Sequence, residues 1–211
     1  MYAVRVAARL QPQRRVVCFE PVPANFERIK ENAALNGLSD RIDVDQVALS
    51  DAEGEVALVL REDFESGSET GNASIAISEA ADRDMRRIVV PTRRFDDIRA
   101  ERAFGSLPVV KVDIEGHEDF FFAGAARYLN EERPVILTEV NNWFYEKRGT
   151  TSSSAFSANL PEGYTPALLR TASGRCTLSP CHMDDLAGLR RIETCVLIPA
   201  ERRRDVEAAI R

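Results

Sequence analysis

Short apolar runs alternate with amphipathic stretches along most of the chain. Residues 16–20 (VVCFE), 109–113 (VVKVD) and 134–140 (PVILTEV) are compact apolar segments that read as buried strands. Residues 23–36 place Phe26, Ile29, Ala33 and Leu35 in one stripe and end at Asn36-Gly37, which predicts a helix with its stop signal. Residues 117–129 predict a second helix, and residues 95–98 begin a shorter one. Residues 1–10 have helical apolar spacing and no N-cap, like the latter half of a helix. Strands are also expected at 42–47, at 55–60 after the turn residues 51–54, and at 87–91. Residues 62–72 are polar and Gly/Ser-rich and read as a loop, and residues 150–157 as a polar linker. Residues 164–170 and 193–198 look like a closing pair of strands, followed by a helical tail at 199–211.

Buried strands alternating with amphipathic helices imply an α/β fold, with a mainly parallel sheet covered on both faces. Ligands of such sheets bind beyond the carboxyl ends of the strands. Three strands here carry an acid at that end: Glu20, Asp113 and Glu139. A lone acid there is usually a helix cap or a solvated turn, but three facing one crevice point to a site. Glu20 is placed to accept hydrogen bonds from the ribose hydroxyls of an adenosine cofactor, or to cap the helix that follows. Asp113 and Glu115 point to opposite sides if the strand continues, whereas a turn at Gly116 would reorient Glu115. His117 is either a proton acceptor near the crevice or a solvated first-turn histidine. Lys111, inside the strand, is expected to reach an acid or a carbonyl. Asn141 and Asn142 are expected as polar wall residues beside Glu139.

The 211 residues suit one domain, and 44% hydrophobic with 29% charged residues is ordinary for a globular protein. The net charge of -6, without a basic cluster flanked by aromatics, argues against a nucleic-acid surface. Arg202, Arg203 and Arg204 read as a solvated helix face. There is no apolar run long enough for a membrane span and no signal-peptide pattern, so a reducing cytoplasm is the default. Cys18 and Cys195 lie in apolar runs as small buried hydrophobes. Cys176, Cys181 and His182 fit no standard zinc spacing, so no metal is expected.

A longer ordered set of residues is specific in combination. FEPVPANF (19–26) is followed by Asn32 and Asn36-Gly37-Leu38, then by ALSD (48–51) before Gly54-Glu55-Val56. FDDI (95–98), KVDIEGHE (111–118), Gly124-Ala125 and Glu139-Val140 complete it. From about Val16 to Val140 this resembles the FkbM family of S-adenosylmethionine-dependent methyltransferases. The resemblance implies a three-layer class I methyltransferase (Rossmann-like) fold with sheet order 3-2-1-4-5-7-6. It implies that Glu20, with Pro21, binds the cofactor ribose, and that Ala48, Leu49 and Ser50 lie by the adenine. Asp113 would lie near the methionine moiety and the acceptor, and residues 72–75 near the acceptor side. The expected reaction is O-methylation of a small-molecule hydroxyl, as of a sugar or polyketide. Asp113, His117 and Glu139 are the candidates for taking up the proton that the hydroxyl loses.

The family's first strand and glycine-rich loop, D-x-G-A-x-x-G, have no counterpart here, since no glycine precedes Gly37. Two expectations follow: Met1 is an internal methionine of a longer enzyme, or the chain is a degenerate relative acting through protein contacts. In either case strands 16–20 and 109–113 must pair directly or leave a gap of about 10 Å. A nicotinamide-dependent oxidoreductase shares the acid after its second strand, but K-x-D-x-E-G-x-E argues against it.

Overall fold

The computed structural model describes residues 2–60, 73–76, 85–172 and 174–210. From the amino end, α1 (Tyr2–Ala7) leads through β1 (Val16–Phe19) and α2 (Pro23–Leu35) to β2 (Ile42–Asp45). Next come β3 (Ala48–Leu49), β4 (Gly54–Leu60), β5 (Ala73–Ile75), β6 (Arg86–Arg93) and α3 (Phe95–Glu101). The third stretch is β7 (Val109–Val112), α4 (Glu118–Gly124), α5 (Ala126–Glu132), β8 (Val135–Val140), α6 (Asn142–Lys147) and α7 (Ser152–Asn159). β9 (Tyr164–Ala172), β10 (Arg175–Pro180), a 3-10 turn at Met183–Gly188, β11 (Glu193–Pro199) and α8 (Arg203–Ile210) close the chain. No helix among the described residues is long and apolar enough to cross a membrane.

The architecture is mixed α/β, and its sheets correct the expectation of one mainly parallel sheet. The described strands form a parallel pair β1-β2, a five-stranded sheet β10-β9-β11-β8-β7 and a four-stranded sheet β3-β6-β4-β5. β7 and β8 run parallel, but β11 is antiparallel to both β8 and β9, and β9 and β10 form a hairpin. The expected closing strands do pair, with β10 as an addition whose mostly exposed polar residues gave no apolar signal. Residues 48–60, 73–75 and 86–93 form the separate four-stranded sheet, in which β4 folds back on β6 and β3 pairs along the other edge of β6.

β1 and β7 are not paired with each other, and among the described residues each has a ladder on one side only. This explains why neither is the fully buried strand expected. Val109 is 60% exposed, Lys111 is exposed, and every residue of β1 is only half-buried. The two halves meet through side chains instead. Phe19 of β1 packs edge-on against Phe95 at 5.9 Å, Arg102 pairs with Asp45 at the end of β2, and the Lys111 ammonium lies 4.8 Å from the Tyr2 ring.

The main core gathers Phe95, Phe121, Phe122, Tyr128, Leu129, Ile136, Tyr145, Phe156 and Leu197. Its helices differ from expectation at two points. The helix expected over 117–129 is two, because Ala125 leaves the helical conformation and Asp96 caps the second piece. The Asp96 carboxylate, 4% exposed, accepts from the Arg127 and Tyr128 N–H groups at 2.8 and 2.9 Å. The expected linker 150–157 contains α7, with Thr151 as its N-cap. Two of its serines are buried because each finds a partner: Ser152 Oγ donates to Asn142 Oδ1 and Ser153 Oγ to the Met183 carbonyl, both at 2.7 Å. Arg204 is exposed as expected of a solvated face, but Arg202 and Arg203 are not simply solvated. Arg202 donates to the carbonyls of Arg133 and Glu132, and Arg203 to Thr165 Oγ1. The loop expected at 62–72 lies outside the described residues.

Gly124 closes α4 where the helix meets the end of β3. A Cβ there would stand 1.9 Å from the Ser50 carbonyl oxygen, a backbone atom that cannot swing aside. Gly124→Ala is therefore expected to destabilise the protein by about 1–3 kcal/mol. Urea unfolding reads this as a lower midpoint at constant slope, and an unchanged midpoint would contradict the contact.

Candidate functional site

β7 ends at Val112, and the chain then turns sharply. Glu115 has φ 53° and Gly116 φ 83°, both in the left-handed region. Glycine is required at 116, since a Cβ would lie 2.2 Å from Phe144 Cβ in α6. The turn breaks the strand alternation, so Asp113 and Glu115 no longer point apart. Their carboxylate oxygens and one of Glu139, from β8, all lie within 4.8 Å of one another. Lys111 reaches the Asp113 carboxylate, which is the partner expected of it. Burial first, and then the negative charge of Asp113, hold the Glu139 carboxyl above the usual carboxylate range, with Lys111 opposing. Three carboxylates at this spacing can take up a proton between them, and can also share a cation.

His117 is drawn elsewhere. Its Nε2 lies 2.9 Å from Ser50 Oγ, and Ser50 Oγ donates to Asp51 Oδ1 at 3.1 Å. The imidazole stacks on Phe120 with centroids 4.2 Å apart. It is therefore neither solvated nor grouped with the three acids. Burial pushes its pKa down to about 4, helped by Arg148 and opposed by Asp119 and Asp51. It is neutral at neutral pH, and an Nε2–H donating to Ser50 satisfies the whole chain of hydrogen bonds.

Glu20 follows β1, and its Oε1 accepts from the Val22 N–H at 2.9 Å. Val22 is the N-cap of α2, so the carboxylate steadies the entry to that helix. Burial raises its pKa, while Val22 and the Asn25 side chain hydrogen-bond to it and pull the pKa back. Pro21 continues the turn. Ala48 and Leu49 form β3, and the Ser50 N–H continues that pairing to the Arg93 carbonyl. Ala48 and Ser50 are buried, and the Ser50 hydroxyl is held by His117 and Asp51. Asn72 lies outside the described residues, and residues 73–75 form β5 against β4.

Asn141 and Asn142 have structural duties. Asn141 caps α6 by accepting from the Trp143 N–H, and Asn142 Nδ2 donates to the carbonyls of Leu186 and Leu189. These bonds brace the 183–189 segment as one wall of a cleft of about 460 Å³ beyond the carboxyl end of β8. Asn141, Trp143, Glu146, Arg190 and Arg191 also line it, and Trp143 is 40% exposed. Cys176 and Cys181 are free thiols, and His182 caps the 3-10 turn with Asp185. Cys195 is buried as expected, and Cys18 is half-buried because β1 is open on one side.

Glu118 and Asp96 stand out in the sequence only as acids within KVDIEGHE and FDDI, and no local pattern marks Tyr145.

Comparison with known proteins agrees with the resemblance in the sequence. Residues 2–165 match the Methyltransferase FkbM domain. The 2-O-methyltransferase NoeI of Sinorhizobium fredii (strain NBRC 101917 / NGR234) is 27% identical over 151 residues, 65% of this chain and 58% of the relative. The chain thus spans little more than half of that protein's length. Among solved structures, a methyltransferase FkbM from Methylobacillus flagellatus KT aligns at TM-score 0.46 and 17% identity, covering 87% of this chain and 36% of its own. A putative precorrin-6Y C5,15-methyltransferase targeted domain from Corynebacterium diphtheriae aligns at TM-score 0.39 and 14% identity, covering 94% and 82%. With the family domain matched over most of its length, this chain belongs to the methyltransferase FkbM domain family.

Proposed function

We propose that the protein is an S-adenosylmethionine-dependent methyltransferase acting on a hydroxyl of a small molecule such as a sugar or polyketide. The observation that carries this is the convergence of Asp113, Glu115 and Glu139 at the carboxyl ends of two adjacent parallel strands. An acceptor hydroxyl must shed its proton as it attacks, and such a cluster has the capacity to take it. Glu139, held above the usual carboxylate range, is the better acceptor, at a carboxylate oxygen. Asp113, tied to Lys111, orients the hydroxyl. The cleft at Trp143 and Glu146 is the natural entry for the acceptor.

Glu20 fits a cofactor ribose. A carboxylate offers about four lone-pair sites, and Val22 and Asn25 use only part of that capacity. Pro21, Ala48, Leu49 and Ser50 would flank the adenosine. When bound, the cofactor supplies an electrophilic methyl group on a sulfonium sulfur.

This reading also gives the divided sheet a simple completion. One further parallel strand between β1 and β7, with its glycine-rich loop, would produce β2-β1-x-β7-β8-β11-β9, the class I order 3-2-1-4-5-7-6. A second reading, a non-catalytic relative acting through protein contacts, is favoured by the same open slot. Calorimetry with S-adenosylmethionine and with NAD separates these readings. The 211-residue chain is expected to bind S-adenosylmethionine poorly, and a form in which a further strand and glycine-rich loop pair between β1 and β7 is expected to bind it well. Tight binding by the chain as given would remove the need for the added strand.

In a form that binds, Glu20→Ala is expected to weaken cofactor affinity at least ~10-fold, the loss of charge-assisted hydrogen bonds worth ~1.5–3 kcal/mol each. Unchanged affinity takes Glu20 out of the site. Asp113→Asn is expected to lower kcat by more than it weakens cofactor binding. Equal losses of both would make Asp113 a cofactor ligand instead.

A further inference from the structure

Glu118 is 2% exposed, and nothing in the reaction outlined above uses it. Its two oxygens face different elements. Oε1 accepts from the N–H groups of Ile114 and Gly116 at 3.3 and 3.4 Å. Oε2 accepts from the Tyr145 hydroxyl at 2.5 Å. Ile114 and Gly116 belong to the turn that follows β7, and Tyr145, itself fully buried, belongs to α6, which follows β8. One carboxylate therefore joins the segment carrying Asp113 and Glu115 to the segment that continues from Glu139.

The surroundings give this link a task. Three carboxylates within 4.8 Å repel one another, and Lys111 bonds to Asp113. Glu115 holds a left-handed backbone that residues other than glycine seldom adopt, and such conformations persist only where their surroundings over-determine them. Gly116 is pressed onto Phe144, the neighbour of Tyr145, so turn and α6 are already in contact where the hydrogen bonds cross. A water-exposed side chain could not hold this geometry, because solvent would compete for each of its bonds.

We propose that Glu118 and Tyr145 are a positioning pair that holds the 113–116 turn at working distance from Glu139. This rests on the reading of the three acids as the reaction centre. Neither residue touches the reacting atoms.

Two measurements test it, one of them independent of activity. Amide exchange at Ile114 and Gly116 is followed by NMR in the 211-residue chain, with the β8–β11 ladder as the internal measure of global opening. Tyr145→Phe, which removes one hydroxyl, is expected to speed exchange at both amides at least tenfold relative to that ladder. In a form that transfers methyl groups, the same variant is expected to lower kcat at least tenfold while KM for S-adenosylmethionine stays within twofold. Glu118→Gln keeps an acceptor for the two amides and can donate to the Tyr145 oxygen, so it is expected to retain at least half of the wild-type kcat. Wild-type exchange in Tyr145→Phe overturns the pair whatever the activity. A rise in KM without a fall in kcat overturns the positioning role. A wild-type enzyme that transfers no methyl group overturns the reaction reading alone, and the exchange result still decides whether the pair holds the turn.

Discussion

The Phe95 ring is the contact on which the arrangement of the whole molecule depends. It is 5% exposed and meets Phe19 edge-on, Tyr128 at 4.8 Å, and Phe104 and Phe121 at 6.3 and 6.2 Å. Contacts of this kind contribute ~0.5–1.5 kcal/mol each beyond the area they bury. They matter more than usual here because no ladder joins β1 to β7 among the described residues. Phe95 also brings Asp96 under the first turn of α5, so one dipeptide both joins the two halves and ends α4 in the right place for α5 to begin.

The site inherits its shape from this packing. α4 is fixed by Phe121 and Phe122 in the core, by Gly124 against Ser50, and by Glu118 beneath its own first turn. With the helix so held, the chain has only residues 113–117 in which to turn from strand to helix. The left-handed pair Glu115-Gly116 makes that turn, and the acids are brought together as a result. His117 is carried past them to Ser50 by the same geometry, and its neutral ring costs no buried charge.

Much of this was legible in the residues, and the exceptions have physical causes. β1, α2, β7, β8 and β11 announce themselves by continuous apolar runs or a helical stripe, although Leu35 of the expected α2 stripe is 84% exposed and only Ala33 of it is fully buried. α7 does not, since Ser152 and Ser153 are buried by hydrogen bonds to residues 10 and 30 positions away, which no local pattern encodes. The approach of Asp113 to Glu139 follows from both lying at the ends of parallel strands. The addition of Glu115 depends on one backbone angle, and the diversion of His117 depends on a segment 67 residues earlier. The exposure of Val109 and Lys111 was hidden for another reason: composition shows that a strand is apolar, not how many neighbours it has.

The divided sheet has a mechanical consequence. A two-stranded ladder is marginal by itself, so the unit of α1, β1, α2 and β2 draws its order from Phe19, from the Asp45–Arg102 pair and from the Tyr2 ring over Lys111. Among the described residues, that unit meets the five-stranded sheet through rings and ions, where a paired strand would supply a row of backbone hydrogen bonds.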